Sequence, residues 1–375
     1  MNLLLYYTGN KRSIALETWL REYVRHGHQV HLMTACEPGE LHERAAQLGV
    51  RVSGFFAPKN KLYYAKQIRH LIAYCWREHI DVVLSQLQEA NIIAVFAERM
   101  TRARFYMFRH HPQPHSGKEK LVDWIVNRLA RHIVVLTGPQ KQIVLSEGVP
   151  ESRIHLVPLM YDFDEYRPSA EVVRSVRERY RCTLLVIMLS RLVHYKRHML
   201  AFQAIEDLVS RGHDVRLIVM DDGPEKSKLE AHVRQRGLEQ RITFLGYQSN
   251  VTDYLEASDV LLQPSESEVS ANAVKEAAVR GKIVVACRGV GDFDDYLEDT
   301  MNAVLVNVTD GASTIADRLE DIIKNRPKYD TIGARLRQRV LDKFGCTPTN
   351  VDRYLRLLDG RLNASEPRSA TEACE

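Results

Sequence analysis

The chain has 375 residues, 45% of them apolar and 27% charged, with 19 Gly and 13 Pro. That length exceeds the roughly 100–200 residues a single core organises, and the balance excludes a disordered or fibrous protein. Its 52 Lys and Arg against 48 Asp and Glu leave a formal charge of +4. So mild a field does not draw nucleic acid, and none is expected as a partner; anionic small ligands or an anionic membrane surface stay open.

Taken in chain order, short β-type runs alternate with segments of helical period. Residues 3–7 (LLLYY) read as a buried strand and 8–13 as a loop; 14–26 place apolar residues at helical spacing. Gly27-His28 ends that helix before a strand at 30–33, completing one βαβ unit. Strands at 50–56, 81–85, 104–108 and 133–136 then alternate with helices at 62–78, 90–100, 119–129 and 140–147. The segment PLMYDFDEYRPS at 158–169, with two Pro and no sustained period, reads as a linker. The rhythm restarts with strands at 184–189, 215–220, 242–244, 260–262 and 283–286, and helices at 198–210, 226–236, 251–257, 271–280 and 311–325.

Such alternation implies parallel sheets covered on both faces by helices. The expected fold class is α/β, with two Rossmann-like doubly wound parallel-sheet domains facing across a cleft. The first would span 1–163, with a helix at 347–362 turning back onto it; the second would span 164–346, and a flexible tail 363–375. Ligands of such sheets bind outside the carboxyl ends of the strands.

Cys36, Cys75, Cys182, Cys287, Cys346 and Cys374 form no Cys-x-x-Cys pair, which argues for inert thiols in a reducing compartment. The opening MNLLLYYTGNKRS has neither a basic leader nor a signal-length apolar core, so a cytoplasmic location is expected.

The most specific chemistry sits in Gln263-Pro-Ser-Glu-Ser-Glu-Val-Ser-Ala-Asn272-Ala-Val-Lys-Glu276-Ala277, which follows a strand and opens a helix. Unpaired backbone amides and the dipole at such an opening welcome an anion. Glu268 would stand at the helix mouth and Glu276 about two turns on; a cap with a solvated carboxylate is the alternative. In Ser190-Arg191-Leu-Val-His-Tyr-Lys196-Arg197 two cations just past a strand end suit a diphosphate, or are plain surface charges.

Arg191 with Lys196, then Asp222-Gly223-Pro224, Phe244-Leu245-Gly246, Pro264-Ser265, and Glu268-x7-Glu276-Ala277 with Gly281, resemble the nucleotide-sugar half of GT-B retaining glycosyltransferases of the GT4 type, over about 184–306. The resemblance implies that Arg191 and Lys196 bind the donor diphosphate, Glu268 the donor sugar and Glu276 the ribose. It places Val269, Ser270, Ala271 and Asn272, whose backbone amides face the donor, in the binding loop with Gly223 and Pro224. The usual Phe-Gly after the first Glu is absent, which bears on sugar identity. The first half matches more loosely: Gly9-Asn10-Lys11-Arg12 stands in place of a double glycine. His111, with His110 beside it, stands where the family has a His next to the reacting sugar.

The implied function is retaining, metal-independent transfer from a UDP- or GDP-sugar to a glycan or lipid-linked acceptor, in cell-surface polysaccharide or glycoconjugate biosynthesis. No metal and no cofactor besides the donor are expected. The other readings are a non-catalytic GT-B-shaped regulatory subunit and a sugar-nucleotide epimerase. A basic, amphipathic stretch carrying Lys59, Lys61, Lys66 and Arg69 with Leu62, Tyr63, Tyr64, Ile68 and Leu71 suits either peripheral membrane contact or an ordinary solvated helix face.

Overall fold

The computed structural model describes residues 1–10, 13–110, 117–165 and 167–361. It divides into two compact units: Met1–Asp162, rejoined by the chain from Phe344 onward, and Phe163–Lys343.

The first unit is built on a seven-stranded sheet of β1 (Asn2–Tyr7), β2 (Gln29–Thr34), β3 (Arg51–Gly54), β4 (Val82–Gln86), β5 (Arg104–Phe108), β6 (Ile133–Val135) and β7 (Ile154–Leu156), in the order β3-β2-β1-β4-β5-β6-β7. Every pairing is parallel. Central strands of a sheet covered on both faces must be apolar on both faces, and Leu3, Leu4 and Leu5 of β1 are all buried. Edge strand β3 is mostly exposed and shorter than the 50–56 expected from its pattern.

Helix Ile14–Arg25 lays Trp19 on the sheet, its ring centroid 5.2 Å from Phe108 and 4.9 Å from Tyr354. Tyr354 belongs to helix Pro348–Asp359, which the chain supplies after leaving the second unit. The last carbonyls of that helix lack intrahelical donors. Two of them accept from the sheet, Leu358 O from Arg104 Nη1 at 2.8 Å and Leu357 O, also capped by the Gly360 N–H at 3.1 Å, from the Tyr106 hydroxyl at 2.6 Å.

The second unit carries β8 (Leu184–Leu189), β9 (Val215–Met220), β10 (Ile242–Gly246), β11 (Val260–Gln263), β12 (Ile283–Cys287) and β13 (Val304–Val306), again all parallel, in the order β10-β9-β8-β11-β12-β13. Asp259, just before β11, is buried against the Leu185 N–H (2.7 Å), Arg177 (2.8 Å) and Arg326 (3.0 Å). Burial pushes its carboxyl up, but those hydrogen bonds and charges outweigh it and hold the group below its ordinary value.

Several elements lie outside the sequence expectations: helices Glu40–Gln47, Ala170–Arg179 and Arg326–Phe344, and strands β7 and β13. The two strands have three residues each, too few to display a period. The helices at 170 and 326 are rich in charged residues, Arg and Glu in the first and Arg, Lys and Asp in the second, so their buried stripe is thin against a charged background.

Candidate functional site

In the second unit β8 and β11 are neighbours, yet the chain leaves them toward opposite sides of the sheet, making this the switch point where an open α/β sheet leaves a crevice. Residues 190–197 follow β8 and end in a turn with Arg197 at φ 57, from which helix His198–Ser210 departs. Residues 264–271 follow β11 and lead into helix Asn272–Ala278. The two loops are tied where Glu266 N donates to Tyr195 O at 3.0 Å.

Two of the predicted residues meet here. Lys196 Nζ donates to Glu268 Oε1 at 2.5 Å, with Glu268 buried. The same oxygen accepts from Gln263 Nε2 at 2.6 Å, and that amide also donates to the buried Ser265 hydroxyl at 2.9 Å. Charge-assisted bonds from two elements thus aim one carboxylate, leaving its second oxygen for a ligand. Arg191 is exposed, and its guanidinium meets no partner among the described residues.

Gly223, on the loop after β9, has a packing reason: a Cβ there would lie 2.4 Å from Leu192 O, on the backbone that follows Arg191. Pro224 beside it is exposed. Val269, Ser270 and Ala271 form the approach to the helix, and Asn272 opens it exposed. Glu276 is half-buried and accepts no side-chain hydrogen bond among the described residues; burial raises its carboxyl above the ordinary range, partly offset by Arg280.

Some participants went unmarked in the sequence reading. His198 is buried with Nε2 3.3 Å from Ser190 Oγ, and burial together with the Lys196 charge lowers it to about 4. Lys275, one position before Glu276, is wholly buried and donates to Asp292 Oδ2 at 2.9 Å and to Ser270 Oγ at 2.7 Å. In sequence it is indistinguishable from a solvated helix lysine. Gln263 stood inside the motif without a role.

In the first unit, His110 Nε2 lies 2.6 Å from Gln86 Oε1 at the ends of β5 and β4. His111 lies outside the described residues. Arg109 is buried and occupied structurally, with Asp123 at 3.3 Å and Glu147 at 2.9 Å. Leu87, directly after β4, has φ 76 and ψ 159, a region that costs a β-carbon-bearing residue about 1–3 kcal/mol and gathers at functional sites. It introduces Gln88 and Glu89, which line a groove of about 310 Å³ with Lys59, Tyr63, Tyr64 and Val122.

Lys59 Nζ lies 3.2 Å from Glu89, so the groove's two charges compensate one another. Burial, then a hydrogen bond to Glu89, raises the Tyr63 phenol. Nearby, Tyr6 is raised by burial and by the charges of Tyr63 and Glu89; its hydroxyl, with Ser85 Oγ and Gln86 Nε2, is buried without a hydrogen-bond partner among the described residues. Among the described residues no three His, Cys, Asp or Glu side chains cluster as a metal site, and no helix is long and apolar enough to cross a membrane.

A doubly wound sheet that gathers cations and an aimed carboxylate at its switch point, paired with a second parallel-sheet unit, defines a two-domain Rossmann-like protein of the GT-B class. Residues 174–339 match the model of the glycosyl transferases group 1, and residues 14–165 that of glycosyltransferase family 4. The chain belongs to these GT4-type glycosyltransferases.

It is 29% identical over 208 residues to 2-deoxystreptamine glucosyltransferase of Streptomyces kanamyceticus, a match covering 53% of each chain. It is 29% identical over 160 residues to N-acetyl-alpha-D-glucosaminyl L-malate synthase of Bacillus anthracis, covering 43% of this chain and 41% of that one. The matches thus span about half the length of these relatives or less. In structure it is similar to Anabaena HepE, solved in complex with UDP, at a TM-score of 0.81 and 18% identity over 96% of this chain and 100% of that one. Sucrose-phosphate synthase of Thermosynechococcus elongatus gives 0.78 and 16%, over 96% and 99%.

Proposed function

We propose that the protein is a retaining glycosyltransferase that moves a sugar from a nucleoside diphosphate, UDP or GDP, to a glycan or lipid-linked acceptor. The observation that carries this reading is the Lys196–Glu268 contact at the switch point, beside an unpartnered Arg191. HepE, complexed with UDP and with UDP-glucose in its solved structures, makes UDP the first donor nucleotide to try.

The chemistry follows from where charge develops. As the bond from the anomeric carbon to the phosphate oxygen breaks, negative charge builds on the diphosphate and positive charge on the ring. Arg191 would take the phosphate oxygens in its planar fork and Lys196 would add a compact charge, the work a metal does elsewhere. Glu268 would orient the sugar, Glu276 the ribose, and the amides from Val269 to Asn272 the donor tail. The acceptor hydroxyl would attack from the face the phosphate leaves, passing its proton to a phosphate oxygen as the new carbon–oxygen bond forms, which retains the anomeric configuration.

On the acceptor side, the first-unit groove supports a hydroxylated ring as ligand, since it offers phenols, an amide and compensated charge. Of the basic stretch, Tyr63 and Leu71 are buried and Ile68 packs against the core, so they offer nothing to a membrane. What supports membrane contact is Leu62 and Tyr64, each at least half exposed, beside exposed Lys61 and Lys66. Flotation with anionic liposomes tests it: binding lost on neutralising those lysines supports it, and no binding ends it.

The function is tested by thermal shift and product analysis. Stabilisation by UDP or GDP, nucleotide release that requires an acceptor, and an NMR-determined anomeric centre matching the donor's are the expected results, unaffected by chelator. Conversion of free nucleotide sugar without acceptor would make it an epimerase. No stabilisation by any nucleotide would leave a non-catalytic module.

A further inference from the structure

We infer that the buried pair Lys275–Asp292 is a positioning device that, through Ser270, holds the Glu268 carboxylate in its working direction. The role in catalysis rests on the donor-site reading above; the mechanical part stands on geometry.

Lys275 is 0% exposed and Asp292 2% exposed. An ion pair this deep contributes little net stability, because desolvating both charges offsets their attraction, and an apolar pair of similar volume would fill the core as well. What it adds is direction. Ser270 Oγ donates to Asp292 Oδ2 at 2.7 Å and accepts from Lys275 Nζ at 2.7 Å, while Lys275 Nζ also reaches Asp292 Oδ2 at 2.9 Å. The three groups close a triangle from three places in the chain: the loop after β11, the helix Asn272–Ala278 and the turn after β12. The ammonium also lies 5.0 Å from the centre of the Tyr296 ring, which fixes its approach.

Ser270 is two residues from Glu268, so the triangle anchors one end of the segment that carries the carboxylate. The other side of that segment is closed by Gly291, at φ 59, where a Cβ would stand 2.8 Å from Val269 O and 2.9 Å from Glu268 O. The segment is gripped between a polar anchor and a backbone contact that admits only glycine. Glu268 itself then needs only Lys196 and Gln263 to be aimed.

The deciding experiment separates stability from positioning in the full chain. Lys275→Met alone strands a buried carboxylate and lowers the melting temperature; Lys275→Met with Asp292→Leu removes both charges and restores it. In the double variant, amide hydrogen exchange of residues 264–274 is expected to accelerate. With UDP-glucose as donor probe, kcat should stay down about tenfold or more while UDP still stabilises the protein, the loss expected for a misplaced polar contact. Ser270→Ala should reproduce the faster exchange with a near wild-type melting temperature, and it decides the matter if the double variant does not fold. Unchanged exchange in these variants, or kcat restored together with the melting temperature, overturns the proposal. A wild-type protein without nucleotide response instead defeats the donor-site reading, and the exchange result still decides the anchor.

Discussion

The switch point of the second unit and the groove of the first differ in how their charges are arranged. In the second unit charged groups are gripped by partners, Lys196 and Gln263 on Glu268, Lys275 and Asp292 on Ser270, while Gln263 Oε1, Asp292 Oδ1 and His198 Nδ1 are buried without a partner among the described residues. In the first, the groove's charges, Lys59 and Glu89, compensate one another across 3.2 Å beside the phenols of Tyr63 and Tyr64 and the amide of Gln88, which the strained Leu87 introduces. Pre-aimed charge suits a ligand whose own charge must be met without reorganisation. Phenols, an amide and compensated charge suit a neutral ligand rich in hydroxyls, which is the difference expected between a diphosphate donor and a sugar acceptor.

The largest effect should come from removing the free cation. Arg191→Ala is expected to lower transfer by about 10²-fold or more, with circular dichroism unchanged and stabilisation by UDP reduced. Near-full turnover would break the contrast on the donor side. In the groove, Glu89→Gln or Tyr63→Phe should raise the acceptor KM about tenfold and leave the UDP-induced shift alone. Loss of nucleotide response in those variants would show that the two regions are not specialised as argued.

Glu276→Gln sharpens the comparison from the stability side. Because burial raises this carboxyl in the folded protein, its ionisation costs stability once the pH rises past the unfolded value, and the cost is complete above the folded one. At neutral pH the Gln variant should melt higher than wild type while binding UDP more weakly. A lower melting temperature would remove the idea that this site trades stability for a ligand.

The smallest effect is an acid limb shared by both units. Burial first, and then neighbouring positive charge, lowers His132 in the first unit and His198 in the second to about 4 from 6.5. Unfolded chains then bind protons that the folded one refuses. The contribution of each is whole above about pH 6.5 and is lost as the pH falls toward about 4. Replacing either by Gln should flatten the pH dependence of the melting temperature over that interval; an unchanged slope would show that these imidazoles are not what acid unfolds.

Most of the architecture was legible because central parallel strands are apolar on both faces and leave unmistakable runs, as in LLLYY and LLVIML. What escaped was short or charged: β7 and β13 have three residues each, and the helix Arg326–Phe344 hides its buried face among arginines. At the candidate donor site, Arg191, Lys196, Glu268 and Glu276 stood out by their place after strand ends, where plain surface charge was equally open, and the resemblance to the family supplied their roles. Lys275 did not stand out, since a lysine on a helix is ordinarily solvated.

The amino-acid order alone therefore determined two alternating α/β units and the loops that would hold reactive side chains, because hydrophobic period and strand–helix punctuation are local properties. Tertiary structure decided which of those side chains are spoken for: Lys196 by Glu268, Lys275 by Asp292, Arg109 by Asp123 and Glu147. Pairing and burial depend on residues tens of positions apart reaching one point, and a local pattern does not encode that distance.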